Sequence, residues 1–326
     1  MTRLSNFLSA VAIIMLASCE SKMALIPAGG ESPTTGEVAA ICEVNSVILT
    51  AMVQANGLET NVVFDYGMTP SSLTNSVSAS PNLLSDTAAA TVTAKVAGLE
   101  ANSTYYFRVR ADNSGGSAVS TVISAKTYAA MDVDSNFYTC VTIGTQTWLV
   151  ENLKATRYND GAPIPYIFDK DVWKDGLNGK YVTDACCFYN NDSIKMESYG
   201  VLYNGYAVQT GKLAPRGWHV PSQAEVDSLK AYLAADDSGG KLKESGTTHW
   251  QDPNVGATNS TGFTARPGGI REGGRFKYLE QTAYYWVTTE VIKNMSFSMT
   301  LNCLDSKIGQ DISPWSEGLS VRCIKD

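Results

Sequence analysis

Between Glu37 and Tyr128 the chain alternates apolar and polar residues in five separate runs, a period of two that suits strands and not helices. The runs are Ser46 to Val53, Val62 to Tyr66, Thr91 to Val96, Tyr105 to Arg110 and Ser120 to Lys126. Breakers separate them: Asn56-Gly57, Gly67 with Pro70, Pro81-Asn82, Gly98, and Asn113 to Gly116. Short strands at this spacing predict an all-β sandwich over 37–128. The remaining residues of a 326-residue chain are enough for a second folded unit.

Tyr128 to Met131 reads as a hinge, after which the texture changes. A hairpin is expected from Phe137 to Ile143 and Thr147 to Val150 around Gly144-Thr145-Gln146. Tyr199, Leu202, Tyr203 and Tyr206 share one face at helical spacing, which predicts a helix stopped by Gly211. A second helix opens at Ser222, where Glu225 three residues on completes a capping box. Val226, Leu229, Tyr232 and Leu233 form its expected buried stripe, and Asp236 to Gly240 its end. Between the two helices, Pro215 to Pro221 is too rich in breakers to be regular, and Trp218 is expected to plug the core.

A formal charge of −7 with no basic patch excludes nucleic acid as a partner. The acidity is spread evenly, with nine acidic against five basic residues from Cys19 to Ala130 and 23 against 19 from Met131 onward. Arg3 followed by the apolar run Phe7 to Leu16 predicts a signal peptide over residues 1–18. Leu16-Ala17-Ser18-Cys19 resembles the lipobox of bacterial lipoproteins, which implies cleavage before Cys19 and acylation of its thiol. Several acyl chains at ~0.8 kcal/mol per buried methylene would hold the chain on a membrane. Residues 19–36, rich in Gly, Pro, Ser and Thr, read as a tether. Six further thiols, Cys42, Cys140, Cys186, Cys187, Cys303 and Cys323, would then meet an oxidising compartment, where disulfides are expected with a connectivity the sequence leaves open.

Gly98 to Ala111, with Leu99 and Tyr105 inside it, resembles the fibronectin type III signature. That resemblance implies a Leu plugging the sandwich and a Tyr making a corner hydrogen bond. It implies no integrin-type recognition, since Arg-Gly-Asp is absent. From about Asp132 to Asp326 the chain is similar to the Fibrobacter succinogenes major paralogous domain. The motifs run in order: Ile143 to Trp148, Glu151 to Lys154, Tyr158 to Gly161, Tyr189 to Asp192, Gly217 to Ser222, Gly240 to Glu244, Gly246 to Trp250, Gly256 to Asn259, Gly262 to Ala265, Pro267 to Gly269 and Ser320 to Cys323. The resemblance implies an α+β, C-type-lectin-like fold over 131–326 in a secreted or lipid-anchored bacterial protein. Three positions depart from the pattern: Gly205 stands for a Trp, Ala214 for a Cys, and Val287-Thr288 for small serines. The missing Cys leaves Cys323 without its usual partner.

Asp132-Val133-Asp134-Ser135-Asn136 has the look of a calcium loop, but Phe137 and Ile143 occupy the positions that need Gly and Glu. It reads as a turn, and neither metal nor cofactor is expected. His219 and His249 each lie beside a Trp in breaker-rich segments and read as loop braces. No nucleophile elbow or zinc spacing is present, and no lectin calcium triplet. The glycine-rich loop Arg266 to Tyr285 is the expected ligand surface, with Arg271 and Arg275 at a hairpin tip beside Tyr278, Tyr285 and Trp286. The sequence thus predicts a non-enzymatic, lipid-anchored envelope protein, most simply of the outer membrane, that carries a lectin-like module for a glycan or protein ligand. The alternative is an envelope redox or hydrolytic enzyme related in fold to formylglycine-generating enzymes.

Overall fold

A computed structural model describes residues 30–175, 183–234 and 237–326. The signal segment 1–18, Cys19, most of the tether and Asp236 lie outside the described residues.

Nine strands precede Tyr128: β1 (Thr34–Thr35), β2 (Ala39–Cys42), β3 (Ser46–Gln54), β4 (Thr60–Gly67), β5 (Asn75–Leu84), β6 (Ala89–Ala97), β7 (Thr104–Asn113), β8 (Gly116–Val119) and β9 (Ile123–Lys126). β3 with β1, β2 and β6 makes one layer, and β4 with β5, β7, β8 and β9 the other. The predicted alternation is the buried alternation: Val47, Leu49, Ala51 and Val53 face Phe64, Phe107 and Val109 across the sandwich core. Leu99 closes one end, and the Tyr105 hydroxyl accepts from the Glu100 amide at 3.1 Å. Pro81, expected in a turn, lies inside β5. Its missing N–H falls where β5 stops pairing with β4 at Ser78, touches β6 at Ser80 and rejoins β4 at Leu83.

The hinge is tied down on both sides. The Tyr128 amide donates to Glu43, and its ring stacks on Phe137 with centroids 4.9 Å apart. Beyond it lie β10 (Ala130–Met131), β11 (Phe137–Tyr138) and the expected hairpin, β12 (Cys140–Ile143) and β13 (Gln146–Leu149). Then follow α1 (Lys170–Asp175), β14 (Cys186–Cys187), α2 (Lys195–Tyr199), β15 (Leu202–Asn204), α3 (Gly205–Gln209), β16 (Trp218–His219), α4 (Gln223–Leu233) and α5 (Ser238–Leu242). Seven strands complete the chain: β17 (Ile270–Glu272), β18 (Arg275–Lys277), β19 (Thr282–Ile292), β20 (Met295–Asn302), β21 (Gly309–Pro314), β22 (Gly318–Leu319) and β23 (Ile324–Lys325). β23 slots between β13 and β16, so the end of the chain closes against the hairpin that begins this unit. Two further sheets run β14-β15-β22-β17-β18 and β19-β20-β21.

The helix expected over Tyr199 to Gly211 is not continuous. Gly200 turns the chain at φ 76°, and Leu202-Tyr203-Asn204 becomes a strand between β14 and β22, buried on both faces. Helical spacing and full burial on both sides of a strand produce the same apolar pattern over so few residues. At α4 the capping box forms as expected, and Val226, Leu229 and Leu233 are buried. Tyr232 is 64% exposed because its ring lies over the hairpin turn at Gly144, where a Cβ would meet it at 2.8 Å.

Candidate functional site

The hairpin of β17 and β18 turns through Gly273-Gly274, both at left-handed φ (54° and 77°), as a two-residue turn requires. Its register pairs Glu272 with Arg275, and Arg271 points the other way. Arg271 is fully buried; its guanidinium donates to the carbonyls of Ile167, Phe168 and Gly274 and lies 4.4 Å from the Trp173 ring. The expectation of two arginines at the tip is therefore corrected: only Arg275 is exposed there. Tyr285 and Trp286 are corrected too. Both are fully buried, on opposite faces of β19, with Trp286 donating to the Tyr203 carbonyl at 2.6 Å.

Tyr278 does reach the surface. It is 45% exposed at φ 60°, with its ring 6.3 Å from that of Tyr284. Three carboxylates gather beside this pair. The register of β17 against β22 sets Glu272 near Glu317, and β21 brings Asp311 across from Ser298. Burial pushes the Glu317 carboxyl up to about 7; the Ser313 hydroxyl and Lys277 oppose the shift, and Glu272 and Asp311 add to it. Glu272 holds Lys277 at 2.6 Å. Beneath lie the buried hydroxyls of Ser298 and Ser313, 3.1 Å apart. The surface thus offers two phenol rings and more hydrogen-bond acceptors than cations, since Arg275 and Lys277 face three carboxylates. Alternation shows Tyr284; nothing local in the sequence marks Glu272, Asp311 or Glu317, because β17, β21 and β22 meet only in space.

A second recess, about 180 Å³, is lined by Asn152, Lys154, Arg266 and Arg322. Its cations are already engaged. Lys154 pairs with Glu197 at 2.7 Å and Arg266 with Glu244 at 3.0 Å. Arg322 is 1% exposed and donates to the carbonyls of Leu149, Val150 and Phe263 and to the Asn152 side chain. This recess is a knot that ties loops together. Both histidines brace loops in the same way: His219 lies between Asp326 (2.7 Å) and Glu225 (2.8 Å), and His249 against Glu244 (2.6 Å).

The Asp132–Asn136 segment is a turn. Asp132 accepts from the Asp134 and Asn136 amides and from the Tyr138 hydroxyl. Among the described residues no three His, Cys, Asp or Glu side chains gather as metal ligands would. The expected disulfides are also corrected, for Cys42, Cys140, Cys186, Cys187, Cys303 and Cys323 are all free thiols. Cys323 is buried in the same apolar cluster as Ala214, the position where its partner is missing.

The described chain therefore joins a β-sandwich to a loop-rich unit of small sheets and short helices closed by its own last strand. The family model of the Fibrobacter succinogenes major domain matches residues 141–325, and the chain belongs to that family. No curated protein matches it. Among solved structures it is similar to the sensor domain of the anti-sigma factor RsgI4 of Pseudobacteroides cellulosolvens, at 19% identity and TM-score 0.23, over 29% of this chain and 92% of that one. It is also similar to the FN1-FN3 domains of chicken CNTN1, at 17% identity and TM-score 0.24, over 30% of this chain and 33% of that one. The FN5 domain of Drosophila Lar matches at 16% identity and TM-score 0.19, over 29% and 94%. Fibronectin-type sandwiches are thus among its structural neighbours.

Proposed function

We propose that this is a lipid-anchored bacterial envelope protein without enzymatic activity. Acylated Cys19 holds it on the membrane, the N-terminal sandwich acts as a spacer, and the C-terminal unit is a lectin-like module for a neutral glycan. The observation that carries the ligand class is the Tyr278–Tyr284 pair beside Glu272, Asp311 and Glu317. Phenol rings offer a flat apolar face to a sugar's C–H groups, and carboxylates accept hydrogen bonds from its hydroxyls. With Arg271 buried, the loop has no pair of guanidiniums for a sulfated or carboxylated ligand. The competing redox reading needs an acidic thiol, whereas burial pushes Cys187 and Cys323 up to about 12.

Two experiments test the two halves of the reading. In cell fractionation the wild-type chain is expected in the membrane pellet and Cys19→Ala in the soluble fraction; a variant that stays in the pellet contradicts the anchor. On a glycan array the full chain is expected to prefer neutral over sulfated or sialylated structures. A preference for the anionic set contradicts the ligand class.

A further inference from the structure

The junction between the two units forms an open recess of about 370 Å³ that the reading above does not use. Its walls come from both sides. Val44 enters from the loop between β2 and β3, while Met131 and Val133 follow the hinge and Leu213 to Pro215 come from the segment before β16. Met131 and Val133 remain 47% and 43% exposed, apolar groups left facing a concave space.

The charged groups at this cavity are unequal in what they can still bind. Asp132 is 5% exposed, and both its oxygens are filled by the Asp134 and Asn136 amides, the Asn136 side chain and Tyr138. Asp134, just beyond the lining, accepts from Thr156 and holds the Arg157 Nε at 3.5 Å. Arg157 lines the cavity with its side chain 60% exposed. Arg216 also lines it, exposed and with no ion pair among the described residues. The carboxylates are committed to turns; Arg216 is left without an ion pair among the described residues, and Arg157, though held by Asp134, keeps most of its side chain exposed.

We propose that this cavity binds an amphipathic carboxylate: an apolar body of about eight to ten carbons, matched to a cavity at the small end of ligand sites, with one carboxylate on Arg216 and Arg157. Because both units contribute walls, the bound molecule also stiffens the junction.

The test is calorimetric titration of the full chain with decanoate below its micellar range, with 4-phenylbutyrate as the compact aromatic counterpart. Decanol, which has the same tail without the charge, is the control. Saturable one-site binding of at least one of the two carboxylates is expected, and which of them binds more tightly distinguishes an acyl from an aryl ligand. Decanol and the double variant Arg157→Ala/Arg216→Ala are each expected to bind at least tenfold more weakly. Val133→Trp, at a half-exposed position that leaves the cores intact, is expected to abolish binding with an unchanged melting temperature. Absence of saturable binding, equal binding of decanol, or wild-type affinity in Val133→Trp would each overturn the proposal.

Discussion

Three cations are buried in the C-terminal unit with no carboxylate in ion-pair contact among the described residues: Lys243, Arg271 and Arg322. Each donates to three backbone carbonyls, while the Arg322 Nε has no hydrogen-bond partner among the described residues. Lys243 donates to Val255, Asn302 and Asp305 at 2.7–2.8 Å and lies over the Trp250 ring. Long loops carry unpaired carbonyls that a core cannot tolerate, and a multivalent cationic donor satisfies several at once. Lys243→Met leaves three acceptors buried without a donor and is expected to cost roughly 2–4 kcal/mol, read as a shift in denaturant midpoint. His219 acts at the same scale. Burial disfavours its charged form, but Asp326 and Glu225 outweigh that, so its pKa is raised. The stabilisation from this clamp is full below the ordinary histidine range and is lost as pH rises through the raised value. Melting curves are therefore expected to show a wild-type advantage over His219→Gln at pH 5.5 that shrinks by pH 9. An advantage independent of pH would contradict the clamp. These roles were only partly legible. Adjacent breakers marked both histidines as braces, but a buried Arg and an exposed Arg look alike in a glycine-rich stretch, so Arg271 was misplaced.

Among elements, long strands and the capped helix were the legible ones. β3, β6 and β7 bury one face each, so alternation alone identified them. The capping box located α4 because it is a local exchange of hydrogen bonds. β14, β15 and β22 have two or three residues each and are set by partners far along the chain, so no periodicity develops in them. α3 shows the same dependence. Gly205 has no room for a side chain, since a Cβ there would lie 2.6 Å from the Cα of Trp315, and the Trp315 ring covers the spot. The candidate surface is likewise a product of strand pairing. Glu317 carries a raised pKa because strand pairing buries its carboxyl, and Glu272 and Asp311, brought close by the same pairing, add to the shift. Its neutral form is favoured in the fold, so the associated stability is complete below the ordinary carboxylate value and lost as pH rises through about 7. Glu317→Gln is expected to match wild type near pH 4.5 and to exceed it by roughly 1–2 kcal/mol at pH 8, screening taken into account. Equal stability at both pH values would contradict the buried, crowded carboxyl.

For the whole molecule, the order of parts follows from what each can do. The sandwich is built mostly of strands, whereas the unit beyond Tyr128 carries the long loops on which recognition usually falls. Tyr128, Phe137 and the hydrogen bond to Glu43 keep the two from separating freely. The central claim is that recognition belongs to the surface around Tyr278. The most direct measurement is a titration of the full chain with the best-bound neutral glycan, comparing wild type with Tyr278→Ala and Glu272→Gln. Both positions are substantially exposed, so melting temperatures are expected to stay within a few degrees while affinity falls at least tenfold in each. Wild-type affinity in both variants would contradict the account.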